Sequence, residues 1–209
     1  MTSKRLPMFP LGMVIFPYQT AGLYVFEARY QQMLTDLDDE GTFGTTLIER
    51  GSEVGGGDVR LGNGTVVKIV ASQKTSDGKT LLVVEGIECC EVVEWLKDDP
   101  YPQAIVKERH CTECGIDETL LRSTESAVKA LRALQSEINA DDYTRSNCEM
   151  DSDPKIRSWQ LCAMTPMSTL DQFKVLSLAN PNDRLRLLSE ICCERYGDFQ
   201  RMLAIDSSN

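Results

Sequence analysis

Short apolar and alternating runs dominate the first half of the 209-residue chain. The runs T-V-V-K-I-V at 65–70 and L-L-V-V at 81–84 are typical of β-strands, because β-branched residues pack well on a pleated sheet. Residues 28–39 interrupt this pattern with apolar residues that fall three and four apart, as on one face of a helix. We therefore predict that residues 5–109 form a β-rich subdomain with one short helix.

Helical spacing takes over after residue 116. One apolar stripe, long enough for about six turns of helix, comprises Leu120, Thr124, Ala127, Val128, Leu131, Leu134 and Ile138. The polar, acidic stretch at 141–154 predicts a loop, and Ser168 is well placed to cap a later helix. Residues 110–205 are thus predicted to form a helical subdomain, which makes the fold class α+β.

Prolines punctuate the opening of the chain. They interrupt the apolar runs L-P-M-F-P-L at 6–11 and V-I-F-P at 14–17, and Y-V-F-E-A-R-Y follows at 24–30. Because proline lacks an N–H and fixes φ, this segment must form extended pieces at sheet edges or corners.

The opening and several later motifs resemble one known family. The later motifs are F-G-T-T-L-I at 43–48, L-G-N-G-T-V-V-K-I at 61–69 and P-Y-P-Q-A-I-V at 100–106. Their order and spacing over about residues 5–195 resemble the substrate-binding N-terminal domain of the Lon proteases. The resemblance implies a PUA-like pseudo-barrel of about six strands, followed by helices. It also implies a non-catalytic protein that binds polypeptides, as an adaptor for a protease or as a chaperone-like holder.

Two departures from the family pattern affect the expected geometry and chemistry. Tyr18 replaces a family glycine, which disfavours a turn with positive φ at that point. In the run G-I-E-C-C-E-V at 86–92, neutral or acidic residues replace two family basic residues. We therefore expect no ligand contact through arginines in that strand.

Seven residues of the opening are the candidate peptide-binding residues. They are Phe16, Pro17, Tyr24, Phe26, Glu27, Arg29 and Tyr30. Those aromatic side chains that remain exposed would form an apolar patch suited to peptide, and the others would belong to the core. Unpaired backbone groups at the proline corner are also able to accept a peptide strand. For Glu27 and Arg29 two interpretations stay open, a charged pair at a recognition surface or a structural pair between strand and helix.

One cluster has the character of metal ligands. His110, Cys111 and Cys114 lie in the run H-C-T-E-C, but a tetrahedral zinc site needs four ligands and no second C-x-x-C occurs. We therefore predict a loop, no metal site and no cofactor. The alternative function is a small-ligand or metal-binding protein that uses this loop.

The run G-K-T at 78–80 is not a phosphate-binding loop, because Gln73 occupies the position of the required first glycine. Asp77 and Gly78 instead predict a hairpin turn, and we expect no ATPase site.

Composition and net charge indicate which kinds of partner the chain binds. The 32 acidic residues outnumber the 22 basic ones, for a net charge of −10, and the excess is the same on both sides of Arg109. Nucleic-acid binding needs clustered Lys and Arg, so we expect no nucleic-acid partner. The apolar runs are much shorter than the about 20 residues that cross a bilayer, and no signal peptide is evident. We expect a cytoplasmic protein with reduced thiols and no membrane partner.

Overall fold

The computed structural model describes residues 3–109, 115–138 and 150–206. The chain divides into two compact units, the β-rich Met1–His110 and the helical Cys111–Asn209. Within the described ranges, no helix has the length and apolar character that a membrane span requires.

Six strands and one helix form the β-rich unit. Its elements are β1 (Ser3–Leu11), β2 (Thr20–Val25), α1 (Ala28–Asp36), β3 (Thr42–Arg50), β4 (Val59–Lys74), β5 (Thr80–Trp95) and β6 (Gln103–Glu108). The sheet order is β2-β5-β4-β3-β1-β6, and β5 also pairs with β6. The long strand β5 pairs with β2 through its first half and with β6 through its second half. Strands β5, β4, β3, β1 and β6 therefore close a pseudo-barrel, from which β2 extends as an edge strand, and the predicted fold class is confirmed.

Two apolar clusters fill the β-rich unit. Strand β1 contributes to both, with Phe9 and Leu11 in the larger cluster and Leu6 and Met8 in the smaller one. Helix α1 packs on the larger cluster through its buried residues, which include Tyr30. The helix ends at Asp36, before the predicted residue 39, because the backbone of Leu37 is already extended.

A tight corner connects β1 to β2. The N–H of Gln19 donates to the carbonyl of Phe16 (3.2 Å), and the N–H of Tyr18 donates to the carbonyl of Gly86 (2.7 Å). Tyr18 has a φ of 61°, so the turn with positive φ is present and the expectation against it is wrong. A side chain on Gly86 would collide with the Phe16 carbonyl, so glycine there allows β5 to approach the corner.

The predicted β4–β5 hairpin is confirmed. A five-residue connection at 75–79 joins the two strands, closed by the N–H of Thr75, which donates to the carbonyl of Lys79 (2.9 Å). Gly78 has a φ of 80°, which glycine adopts without steric cost.

Four helices form the second unit: α2 (Glu118–Ile138), α3 (Pro154–Met164), α4 (Thr169–Ser177) and α5 (Pro181–Asp206). Helix α2 packs mainly along α5. The Ser168 side chain caps α4, as predicted, by accepting from the N–H of Asp171 (3.2 Å). Of the predicted α2 stripe, Thr124, Val128, Leu131 and Leu134 are buried, whereas Leu120 and Ala127 are only partly buried. Leu121, which is not in the predicted stripe, is also buried. Residues 141–149 of the predicted loop lie outside the described residues.

Candidate functional site

A groove of about 260 Å³ opens on the β-rich unit. Strands β1 and β2, helix α1 and the loop between β3 and β4 supply its walls. The lining residues are Phe9, Leu11, Met13, Gly22, Leu23, Tyr24, Phe26, Glu27, Tyr30, Glu53 and Val54. The groove is therefore formed by residues between 9 and 30, in the proline-punctuated opening, and by a glycine-rich loop at 51–58 that is distant from them in sequence.

The floor of the groove is apolar and packed. The aromatic rings of Phe9 and Tyr30 stack with their centroids 4.1 Å apart, and Leu11 and Leu23 are also buried. Burial raises the pKa of Tyr30 to about 12. Two smaller effects follow, since the positive charge of Arg29 lowers this pKa and the negative charge of Glu27 raises it. The Tyr30 hydroxyl is therefore neutral at physiological pH, and the floor carries no charge.

The rim carries large apolar side chains that face solvent. Exposed fractions are 39% for Met13, 44% for Tyr24, 47% for Phe26 and 52% for Val54. The Tyr24 and Phe26 ring centroids lie 6.0 Å apart, and Lys79 Nζ lies 5.5 Å from the Tyr24 ring centroid. Exposed apolar side chains that gather around one groove mark an interaction surface, whereas isolated ones need no explanation.

Glu27 and Arg29 form an ion pair beside the groove. Arg29 Nε donates to Glu27 Oε2 (3.1 Å), and the guanidinium lies 4.5 Å from the Tyr30 ring centroid. Glu27 is the N-cap residue of α1, and its Oε2 also accepts from the N–H of Gly55 (3.3 Å). The pair joins the end of β2, the start of α1 and the glycine-rich loop, so the geometry favours the structural interpretation.

Glu53 supplies a second carboxylate to the groove. One of its oxygens accepts from the N–H of Gly12. Its side chain forms no ion pair with a lysine or arginine of the described residues. Because Arg29 compensates Glu27, the groove retains one negative charge at Glu53.

The glycine-rich loop is what sequence reasoning missed. Gly51, Gly55, Gly56 and Gly57 all have positive φ, and the loop places Glu53 and Val54 in the wall of the groove. The glycines were a usable signal, since glycine adopts positive φ without steric cost and so permits a compact loop. Met13 was also missed, because the apolar pattern alone does not identify which residue of the corner faces solvent.

The structure brings together four of the seven candidate residues. Tyr24, Phe26, Glu27 and Tyr30 line the groove, and Arg29 adjoins it. In contrast, Phe16 and Pro17 are buried in the corner and line no part of the groove, so they are not peptide-contact residues of this groove.

The metal candidates His110, Cys111 and Cys114 lie outside the described residues. In the part of the chain that the structure describes, no group of three His, Cys, Asp or Glu side chains is arranged to hold a metal ion.

Comparison with known proteins gives related proteins that are longer than this chain. The Lon protease of Heliobacterium modesticaldum is 23% identical over 195 residues, which cover 91% of this chain and 24% of that protease. A LON peptidase N-terminal domain and RING finger protein of Schizosaccharomyces pombe is 23% identical over 214 residues, which cover 88% of this chain and 44% of that protein. The chain thus spans less than half the length of these relatives.

Two solved structures share the fold. A Lon N-terminal domain protein from Xanthomonas campestris superposes with a TM-score of 0.62 at 24% identity, covering 88% of this chain and 96% of that chain. The N-terminal domain of a Mycobacterium avium complex Lon protease superposes with a TM-score of 0.63 at 15% identity, covering 91% and 98%.

The family model of the ATP-dependent protease La (LON) substrate-binding domain matches residues 5–194 of the sequence, in agreement with the resemblance of the sequence motifs. The chain therefore belongs to the family of ATP-dependent protease La (LON) substrate-binding domains.

Proposed function

We propose that the chain is a non-catalytic module that binds unfolded or specific polypeptides, and that it acts in proteolysis as an adaptor or a chaperone-like holder in the cytoplasm. Family membership supports the general role. The observation that carries the proposal is the groove, whose apolar floor is surrounded by the exposed side chains of Met13, Tyr24, Phe26 and Val54.

The size of the groove supports a side chain as its occupant. Pockets for drug-sized ligands enclose roughly 300–1,000 Å³, whereas this groove holds about 260 Å³. One or two apolar side chains of a polypeptide fit that volume better than a whole cofactor does. The flexible thioether of Met13 adapts to side chains of different shape, which suits a site that accepts varied sequences.

The chemistry of the lining supports binding without catalysis. Its ionisable side chains are the carboxylates of Glu27 and Glu53 and the hydroxyls of Tyr24 and Tyr30. Glu27 is engaged with Arg29, and the high pKa of Tyr30 keeps its hydroxyl protonated. No lining residue combines an activated nucleophile with a neighbouring base, which acyl transfer requires.

Rim substitutions test the proposal. Tyr24→Ala and Phe26→Ala are each expected to weaken the binding of fluorescently labelled, dephosphorylated β-casein, a permanently unfolded protein, about tenfold, because each removes an aromatic contact. Fluorescence anisotropy measures the affinity. The matched control is Val93→Ala, an exposed apolar residue of β5 that does not line the groove, and it should leave the affinity unchanged.

Thermal melts of the same variants separate binding from folding. Both aromatic side chains are nearly half exposed, so their melting temperatures should stay close to that of the unaltered protein. Equal affinity of all four proteins for casein would contradict the groove as the binding site. Peptidase activity that a groove substitution abolishes would contradict the non-catalytic role.

A further inference from the structure

We infer that the groove takes its polypeptide as an added β-strand on the free edge of β2, an inference that rests on the polypeptide-binding function proposed above. The occupant is an extended segment that places one apolar side chain in the groove and a Lys or Arg side chain at Glu53.

One edge of β2 is available for pairing. Strand β2 lies at the end of the sheet order, and among the described strands it pairs only with β5. The pairing runs without a shift from Thr20 opposite Glu85 to Val25 opposite Thr80. The opposite edge of β2 therefore has backbone groups with no partner strand in the described sheet.

The register identifies which groups these are. The N–H of Gly86 donates to the carbonyl of Gln19 (2.9 Å), so the carbonyl of Gln19 points toward β5. Backbone groups alternate in direction along a strand, so the N–H and C=O groups of Ala21, Leu23 and Val25 also point toward β5. The N–H and C=O groups of Thr20, Gly22 and Tyr24 consequently point toward the free edge.

The free edge adjoins the groove and is open. Gly22 and Tyr24 line the groove, and a Cβ placed on Gly22 would meet no atom within 4 Å. Phe9 and Leu11 of β1 line it as well, beyond Pro7, where pairing with β6 ends. An extended segment beside β2 would therefore lie over the apolar floor and project alternate side chains into it.

The edge also lacks the usual protection. Natural edge strands avoid unwanted pairing with charged side chains, proline, bulges or very short length. Strand β2 reads T-A-G-L-Y-V, which contains no charge and no proline, and its ladder contains no bulge. An unprotected edge beside an apolar groove indicates a surface that pairs with another chain.

The charge of the groove selects the occupant. Glu53 lines the groove, faces solvent and has no ion-pair partner among the described residues. A basic side chain two residues from the apolar anchor lies on the same face of an extended segment, and so reaches the same side of the groove. The favoured occupant is an apolar and basic segment rather than an acidic one.

Methylation of every second backbone nitrogen of a peptide tests whether the peptide binds as an added strand. The probe is a labelled nine-residue peptide of sequence S-T-K-T-L-T-K-T-S, prepared unmodified, with N-methyl groups on its leucine and two lysines, or with N-methyl groups on three alternate threonines. Each set removes the N–H groups along one edge of an extended peptide. We expect one set to weaken binding at least tenfold and the other less than threefold, measured by anisotropy.

The possible results of the peptide experiment distinguish strand addition on β2 from polypeptide binding in general. If all three peptides bind equally, strand addition is wrong and groove binding stands. If both methylated peptides lose binding equally, strand addition is also wrong, since the effect then lies in the peptide. If no peptide binds but casein does, strand addition is wrong and the polypeptide-binding function stands, whereas if neither binds, both proposals are wrong.

Two changes in the protein provide independent readouts. Gly22→Pro removes an N–H at the free edge, where proline is tolerated, and it should bind the unmodified peptide at least tenfold more weakly than Gly22→Ala. Glu53→Gln keeps an oxygen for the Gly12 N–H but removes the charge. It should abolish the preference for the lysine peptide over one with norleucine at both lysine positions. A preference that persists in Glu53→Gln would overturn the assignment of the basic contact.

Discussion

Tyr18 shows how one residue sets the geometry between β1 and β2. It is a non-glycine residue with a φ of 61°, a conformation that costs roughly 1–2 kcal/mol for an L-residue. Its N–H donates to the Gly86 carbonyl, and Phe16 and Gln19 close the turn around it. Hydrogen bonds on both sides of the turn hold the backbone in this conformation despite its cost.

Substitutions at Tyr18 measure that cost. Tyr18→Gly should be more stable than Tyr18→Ala by about 1 kcal/mol, because both lose the ring and only alanine retains the steric conflict at positive φ. Urea titration of the two variants gives the difference in the free energy of unfolding. Equal stability would show that the turn is relaxed for any side chain.

The candidate residues show what the sequence could and could not establish at this scale. The sequence left open which aromatic side chains of the opening are exposed, and in the structure Tyr24 is exposed on β2 while Leu23 and Val25 are buried. Whether Phe16 and Pro17 are exposed depends instead on the approach of Gly86, a residue 69 or more positions away in the chain. No local pattern encodes that contact, so the burial of the corner could not be predicted.

At the scale of elements, the sequence predicts features that depend on short-range chemistry well and loops that depend on long-range contacts poorly. The β4–β5 hairpin and the α4 cap follow from short-range chemistry at Gly78 and Ser168, and both are confirmed. The loop between β3 and β4 depends on long-range contacts, such as the bond from Gly12 to Glu53. The sequence therefore predicted four of the eleven lining residues, and the two that this loop supplies, Glu53 and Val54, were not among them.

Helices α3 and α5 are joined by a buried charge. Arg184 of α5 is fully buried, with its guanidinium carbon 3.6 Å from the Trp159 ring centroid and Nη2 donating to Ser158 Oγ (3.2 Å). Its Nε and Nη1 have no hydrogen-bond partner among the described residues. The aromatic stack and the packing of the side chain, rather than a carboxylate, therefore hold this residue between the helices.

Two substitutions of Arg184 separate packing from charge. Arg184→Ala leaves a cavity and should lower the free energy of unfolding by about 2–4 kcal/mol. Arg184→Met keeps most of the volume and removes the charge, so stability should be unchanged or rise by about 1 kcal/mol. Trp159 fluorescence in a Trp95→Phe background reports the unfolding. If methionine costs as much as alanine, the charge itself stabilises the unit.

At the scale of the whole molecule, net charge predicts which polymers the chain attracts. The net charge is −10, with 11 basic and 16 acidic residues on each side of the boundary after Arg109. This evenly spread charge repels phosphate backbones and attracts basic segments, over a distance of about 10 Å at 0.1 M salt. From this charge we expect the chain to bind polypeptide in preference to RNA.

Competition between the two polymers tests this selectivity. An excess of poly(U) should leave the binding of the lysine-containing peptide unchanged at physiological salt, because the net charge of −10 opposes the approach of a phosphate backbone. Raising the salt concentration should weaken the lysine peptide several-fold and leave the norleucine peptide nearly unaffected, because only the former gains from the negative surface. Displacement of the peptide by poly(U) would show that the groove or its surroundings bind phosphate. In that case the even distribution of acidic residues in the sequence would be a poor guide to the surface that the folded chain presents.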